Sequence, residues 1–442
     1  MSLSPPDAAR APLIRDHCLA PERVDAPIHG GRYRPLFPDL PPLRVDAEAL
    51  HALGRAGGPC DLGDDTADTD AHGAAVWPFF GQFVAHDITA DRSPLVDRAD
   101  PRRIRNFRVP KANLEGVYGT GPIGAPYLYA ATDPAKLLLA PSGVDVPRNH
   151  EGIALIGDPR NDTHLFLSQM LVAFIGLHNR LVDRLRDDGV REAEVFAEAR
   201  RAATWHYQHV LVREFLPGLI GAELTADLLE HGPRLYELDE DPYIPFEFAD
   251  AAYRYGHAQI RPRYQVNARF GPVPLFPDLM GFGPVSPAHT VDWALQFAQR
   301  AKRIDGRLPA PLIALPTQIT GEAPGSDYAS LANRDLQRGQ SVGLASGEAV
   351  ARRLGVRPLT PAQVGLSWTD ETPLWLYILK ESEVLHAGDR LGPVGGRIVG
   401  EVLVGVVDSD PESFRSVDPG WTPTLPSRRA DGFGLADILD PV

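Results

Sequence analysis

Four short polar stretches in this chain combine residue types that move protons, hold charge or bind a metal. In WPFFGQFVAHDIT, from Trp77 to Thr89, Gln82 and His86 stand four apart, so a helix projects both from one face. Phe79 and Phe83 each lie three residues ahead of a member of that pair, which sets aromatic rings beside the polar groups. An imidazole so placed serves as a proton acceptor and donor, or is a satisfied core histidine. In Gly157–Asp162, GDPRND, Arg160 sits at the mouth of a helix, where its charge opposes the helix dipole. An anionic or oxygen-rich partner accounts for it, and so does a salt bridge to Asp158 or Asp162. The third stretch, Tyr253-Arg254-Tyr255-Gly256-His257, falls inside an expected helix. A glycine in mid-helix costs about 1 kcal/mol relative to alanine, which a planar cofactor beside His257 or close helix packing would explain. The fourth, Asn333-Arg334-Asp335-Leu336-Gln337-Arg338-Gly339, is able to supply a polar partner to a buried histidine.

The elements that must position these residues are mostly helical. Apolar spacing predicts a long helix from Asn161 to about Arg186, with Phe174, Leu177, Leu181 and Leu185 on one stripe. A second helix runs from Glu192 to Phe215 and stops at Leu216-Pro217-Gly218; a third spans Phe246 to Ile260 and ends before Arg261-Pro262. Val291–Lys302, Gly347–Leu354 and turns within Thr360–His386 are shorter helical candidates, and the tail beyond Gly388 has strand-like alternation around Gly396–Gly400. Residues 1–75 hold little periodicity and read as an extended arm packed on the core, with residues 76–442 as one catalytic unit. The fold class expected is mainly α, a single large helical domain with little β.

Composition narrows the function. The 442 residues are 43% hydrophobic and 23% charged, an ordinary globular balance, and the net charge of −14 argues against nucleic acid as a partner. Two cysteines, Cys18 and Cys60, make one bridge at most. The N-terminus lacks a signal-peptide pattern and the apolar run Met170–Leu177 is too short to span a bilayer, so the expected location is cytoplasmic, with no membrane span. The 43 prolines, roughly twice the usual share, imply rigid loops between helices. The acidic run Asp61–Asp70 reads as a solvated loop.

Taken in order, GQFVAHD, GDPRND, LHNRL, FLPGLIG, YRYGH and LQRG resemble the animal-type haem peroxidases of the peroxidase–cyclooxygenase superfamily, and its bacterial members most. The resemblance runs from roughly Arg32 to Gly355. It implies a helical domain gripping haem b, hydrogen peroxide as substrate, and a small organic donor or halide as the second partner. His86 matches the distal histidine, Gln82 the distal glutamine, Arg160 the catalytic arginine and His257 the proximal iron ligand. Arg254 and Arg338 match positions expected to pair with haem propionates. LHNRL, with His178, is expected to buttress helices, and His206 and His209 to be ordinary surface or packing residues.

The chain also departs from the family's pattern. Ala85 and Thr163 stand where carboxylates esterify the haem in mammalian members, so non-covalent haem is expected. Asp335 stands where an asparagine usually supports the proximal histidine, although Asn333 is close enough for a shifted register. Asp87 matches a calcium ligand, with Asn113 and Glu115 as further oxygens, but Val109 replaces a hydroxyl residue and the Lys111 ammonium could stand in for the cation. Two other functions stay open. One is a fatty-acid dioxygenase, disfavoured because Arg254 occupies the radical-tyrosine position, though Tyr253 and Tyr255 flank it. The other is a haem-binding protein without catalysis.

Overall fold

A computed structural model describes residues 31–441 apart from 64–67, 92–103, 238–242, 322, 324, 367–370 and 431. The first 30 residues of the expected N-terminal arm, with Cys18, lie outside the described residues, as does the middle of the acidic run. The rest of the arm is less extended than expected. Strand β1 (Gly31–Arg34) pairs antiparallel with β2 (Arg105–Asn106) and parallel with β3 (Tyr243–Pro245), in the register Gly31↔Asn106 and Arg32↔Tyr243. The backbone N–H groups of Leu36 and Phe37 donate to the buried Glu247 carboxylate at 2.7 and 3.1 Å. Helix α1 (Ala47–Gly54) then forms under an Asp46 cap. No strand among the described residues exceeds five residues, so the fold is mainly α.

Helix α2 (Trp77–Ile88) starts where Pro78 needs no N–H partner, and ends where the Thr89 N–H and hydroxyl both donate to the Ala85 carbonyl. It lies against α3 (Leu165–Asp187), with Phe79 stacked on Phe166 at 4.3 Å and Phe83 on Phe174 at 4.7 Å. Helix α3 begins four residues later than expected, because His164 caps it and Pro159–Asp162 forms a separate 3₁₀ turn. It is apolar and long enough to cross a membrane by length and composition, yet most of it is buried in the core, where Phe174, Leu177 and Leu181 are 1–3% exposed.

Other expected elements differ too. Helix α4 (Glu192–Val210) does not stop at Pro217: a π turn over Leu211–Phe215 leads into Leu216–Ile220, where Pro217 sits in a first turn and Gly221 ends the segment at φ 91°. The third helix is Phe246–Ala249, then a kink at Ala251, then a 3₁₀ segment over Ala252–Gln259. Val291–Lys302 divides into a helix at Trp293–Ala298 and a strand at Arg300–Lys302.

Helix α5 (Leu331–Ser341) is capped by Ser330 and buries Asn333, Arg334, Asp335 and Arg338. Helix α6 (Leu374–His386) packs on the 252–259 segment. The tail is no strand but a sixteen-residue helix, α7 (Pro393–Asp408). Its glycines explain the difference. A Cβ on Gly400 would stand 2.5 Å from Leu228 Cδ1, and one on Gly405 2.4 Å from the Tyr236 ring, so close packing of α7 overrides its β-like composition.

Candidate active site

Gln82, His86, Arg160, Arg254, His257 and Arg338 all border one cavity of about 220 Å³. On α2 the cavity is bordered by Pro78, Phe79, Gly81, Gln82, Ala85, His86 and Thr89; Phe79 also stacks on Phe166, while Phe83 turns to Phe174 on α3. Ile260, Leu275, Phe276, Leu312, Leu315 and Ile319 make an apolar part of the wall.

Two hydrogen-bond clusters hold the polar groups. In the first, Asn161 Oδ1 accepts from His86 Nδ1 at 2.8 Å, which leaves the lone pair of the neutral ring on Nε2. Burial first, then the Arg160 charge, pushes the His86 pKa down to about 3, so the ring is neutral at physiological pH. Arg160 donates from Nη2 to the His86 carbonyl at 2.8 Å and grips Asp158 through Nε at 3.0 Å and Nη2 at 2.8 Å. Asp158 is fully buried; although burial pushes its carboxyl up, Arg160 and Arg108 hold it well below the usual range. Of the two carboxylates open to Arg160, then, Asp158 is the partner. Asp162 binds Arg148 instead, at 2.7 Å.

In the second cluster Asp335, with no exposed side-chain surface, bridges two cavity residues. Its Oδ2 lies 2.6 Å from His257 Nδ1 and its Oδ1 accepts from Arg254 Nη1 at 3.0 Å. The acid at 335, not Asn333, therefore meets the histidine; Asn333 faces Gly54 instead. With Nδ1 engaged, Nε2 is the His257 nitrogen left for a ligand in the cavity. Arg254 also donates to the Ala249 carbonyl, and Arg338 is bound by Asp250 and Asp91, at 2.7 and 3.2 Å. Both arginines proposed for propionates thus already hold protein carboxylates.

The candidate calcium ligands already hold protein partners, Asn113 Oδ1 accepting from the Glu115 N–H at 3.1 Å. Asp87 Oδ2 accepts from the Leu114 N–H at 3.0 Å, and burial raises its carboxyl to about 7. Glu115 pairs with Arg108, and the Lys111 ammonium goes to Asp410 at 2.8 Å rather than into a cation's place. Among the described residues no cluster of three metal-binding side chains is found. His178 is buried between the Ala135 carbonyl and the Tyr118 hydroxyl, and His206 bonds backbone at Ala202 and Thr424.

Among the cavity residues to which the sequence reading gave no role are His164 and Arg334. His164 faces Gln82, Nε2 to Oε1 at 2.9 Å, and Arg334 borders the cavity while donating to the Tyr328 carbonyl at 2.5 Å. The signal for His164 was its place four residues after Arg160, at the start of an apolar helix.

Residues 99–362 match the family model for the animal haem peroxidase. The chain is 28% identical over 205 residues to chorion peroxidase of Drosophila melanogaster, covering 43% of this chain and 25% of that protein. It is 28% identical over 176 residues to thyroid peroxidase of Sus scrofa, covering 39% of this chain and 19% of that protein. It thus spans a quarter or less of the length of these curated relatives. In fold it is similar to peroxidase A from Dictyostelium discoideum, with TM-score 0.67 and 15% identity over 93% of this chain and 92% of that one. It is also similar to a fatty acid alpha-dioxygenase of Arabidopsis thaliana, with TM-score 0.59 and 14% identity over 84% and 71%. With the match spanning well over half of its residues, the chain belongs to the animal haem peroxidase family.

Proposed function

We propose that the protein is a haem-dependent peroxidase that cleaves hydrogen peroxide and oxidises small organic donors or halides. The observation that carries this reading is the convergence of a neutral imidazole, a fixed guanidinium and a carboxylate-backed histidine on one cavity. The residues present fit a porphyrin. A Cβ on Gly256, at the cavity wall, would meet no protein atom within 4 Å, which leaves room for a flat ring beside His257. His257 Nε2 would hold the iron, and Arg254, Arg334 and Arg338 would offer donors to the propionates. Ala85 and Thr163 border the same cavity and carry no carboxyl group, so haem b is held without ester links.

A haem bound there supplies the iron on which peroxide binds and the oxidising equivalents that pass to the donor. The chain supplies the rest. His86 Nε2 accepts the proton from hydrogen peroxide and returns it to the departing oxygen, and Asn161 keeps the ring in that tautomer. Arg160, clamped by Asp158 and the His86 carbonyl, places a fixed positive charge where negative charge grows as the O–O bond breaks. Leu275, Leu312, Leu315 and Ile319 make one side of the cavity apolar.

A second reading, fatty-acid oxygenation, draws on Tyr253 and Tyr255 at the cavity wall. Arg254 stands between them and is tied to Asp335, which favours the peroxidase. Peroxide-dependent oxidation of a phenolic donor by the haem-loaded protein tests the proposal. Turnover that needs peroxide supports it; oxygen uptake with an unsaturated fatty acid and no peroxide supports the dioxygenase. Haem that binds and does neither marks a binding protein.

A further inference from the structure

We propose that His164 is a positioning residue that locks the Gln82 amide with its two N–H donors turned into the cavity. The assignment follows from which atoms can donate. His164 caps α3, its Nδ1 accepting from the Leu167 N–H at 3.4 Å. A ring that accepts at Nδ1 carries its proton on Nε2 when neutral, and burial keeps it neutral by pushing its pKa down to about 3. His164 Nε2–H therefore donates, and its partner at 2.9 Å must be an oxygen, Gln82 Oε1. With that oxygen taken, the amide nitrogen points away from His164. Gln82 borders the cavity, and among the described residues its Nε2 donates to no protein acceptor. Amide orientation is otherwise free to flip, so without His164 either end would face the site.

The imidazole is itself held. Its ring lies 5.4 Å from Phe79 and 6.4 Å from Phe166. The backbone around it is pinned by Leu165 N–H to the Leu279 carbonyl at 2.9 Å and Gly281 N–H to the Thr163 carbonyl at 3.0 Å. This strap is tight: a Cβ on Gly281 would fall 1.9 Å from the Asp162 carbonyl oxygen. The order of support thus runs from the 279–281 strap to His164, then to Gln82, then to whatever oxygen or anion occupies the cavity. The use made of the donors rests on the peroxidase reading; the locking of the amide does not.

Two measurements test the proposal. First, ¹⁵N NMR of the histidine-labelled chain reads the His164 tautomer directly, with or without haem. The Nε2–H form at neutral pH is expected; an Nδ1–H form or an imidazolium overturns the proposal. Second, cyanide binding to the ferric haem-loaded protein reads the donors in the cavity. His164→Phe keeps an aromatic ring against Phe79 and should weaken cyanide about three- to tenfold, the size of one ordinary hydrogen bond. His164→Gln, which keeps a donor, should recover affinity to within about twofold. In a Gln82→Leu background the His164→Phe effect should vanish, because there is no amide left to orient. Equal loss in both backgrounds overturns the proposal, since a general structural fault would act either way. If the protein takes up no haem, the peroxidase reading fails and the tautomer still decides the role of His164.

Discussion

Replacing Asp335 with asparagine removes the buried charge that faces His257. The carboxylate lies 2.6 Å from His257 Nδ1 and is completely buried, so its charge acts on the ring with little solvent screening. A hydrogen bond to a charged acceptor is worth about 1.5–3 kcal/mol and one to a neutral acceptor about 0.5–1.5. The difference, about 1–1.5 kcal/mol, favours the more positive ferric state of a bound haem. For a one-electron couple at 59 mV per tenfold, that corresponds to a rise of about 45–65 mV in the Fe(III)/Fe(II) potential of Asp335→Asn. Arg254 shares the same carboxylate at 3.0 Å and offsets part of its charge. Arg254→Gln should therefore shift the potential the opposite way, downward. Spectroelectrochemical titration of the haem-loaded variants reads both. An unchanged potential in Asp335→Asn, or shifts of the same sign in both variants, refutes the argument that Asp335 tunes the axial histidine.

The remaining predictions are simpler. Gly256→Ala should leave the haem-free chain folded within about 1 kcal/mol, because a Cβ there meets no atom of another segment within 4 Å, and Gly256→Val should weaken haem binding about tenfold or more by filling the ring's space; undiminished haem affinity in Gly256→Val contradicts the placement. Acidified ketone should extract the haem completely, since Ala85 and Thr163 offer no carboxylate, and haem retained on the polypeptide would count against non-covalent binding. Acid stability of the haem-free chain is set by buried groups. Burial pushes His86 and His164 down to about 3 and His178 and His206 to about 4, so unfolding takes up protons there below the unfolded histidine range. Asp87 and Glu381, raised by burial to about 7, release protons on unfolding and oppose this, as do the raised Glu247 and Glu348. With His209 also lowered to about 4 by burial, the depressed histidines outnumber the raised carboxyls, so stability should fall as the pH drops from 6 to 4.5. Denaturant midpoints that are flat or rise on acidification contradict it.

What was legible in the sequence was local chemistry with a strict period. Gln82 and His86 share a helix face because four residues make about one turn, and Trp77-Pro78 marks its start. The sequence left Asp335 and Asn333 both open as the partner of His257, and the 2.6 Å contact is made by Asp335. What escaped depended on groups far apart in sequence. Arg160 had two acidic neighbours of equal standing; the choice of Asp158 is made by Arg108, which helps hold that carboxylate in the interior. Helix α7 looked like a strand because its glycines answer to Leu228 and Tyr236, not to their own neighbours. The Arg254 and Arg338 ion pairs depend on Asp335, Asp250 and Asp91, brought together by the kink at Ala251 and by α5.

The most direct test of the central claim is rapid mixing of the ferric haem-loaded protein with one equivalent of hydrogen peroxide. The account predicts a fast second-order change in the haem spectrum, reversed by a phenolic donor and slowed about 10²- to 10⁴-fold in His86→Leu, the usual size of a lost general acid–base group. Haem that stays unchanged or simply bleaches, or a His86→Leu variant as fast as the parent, would contradict it.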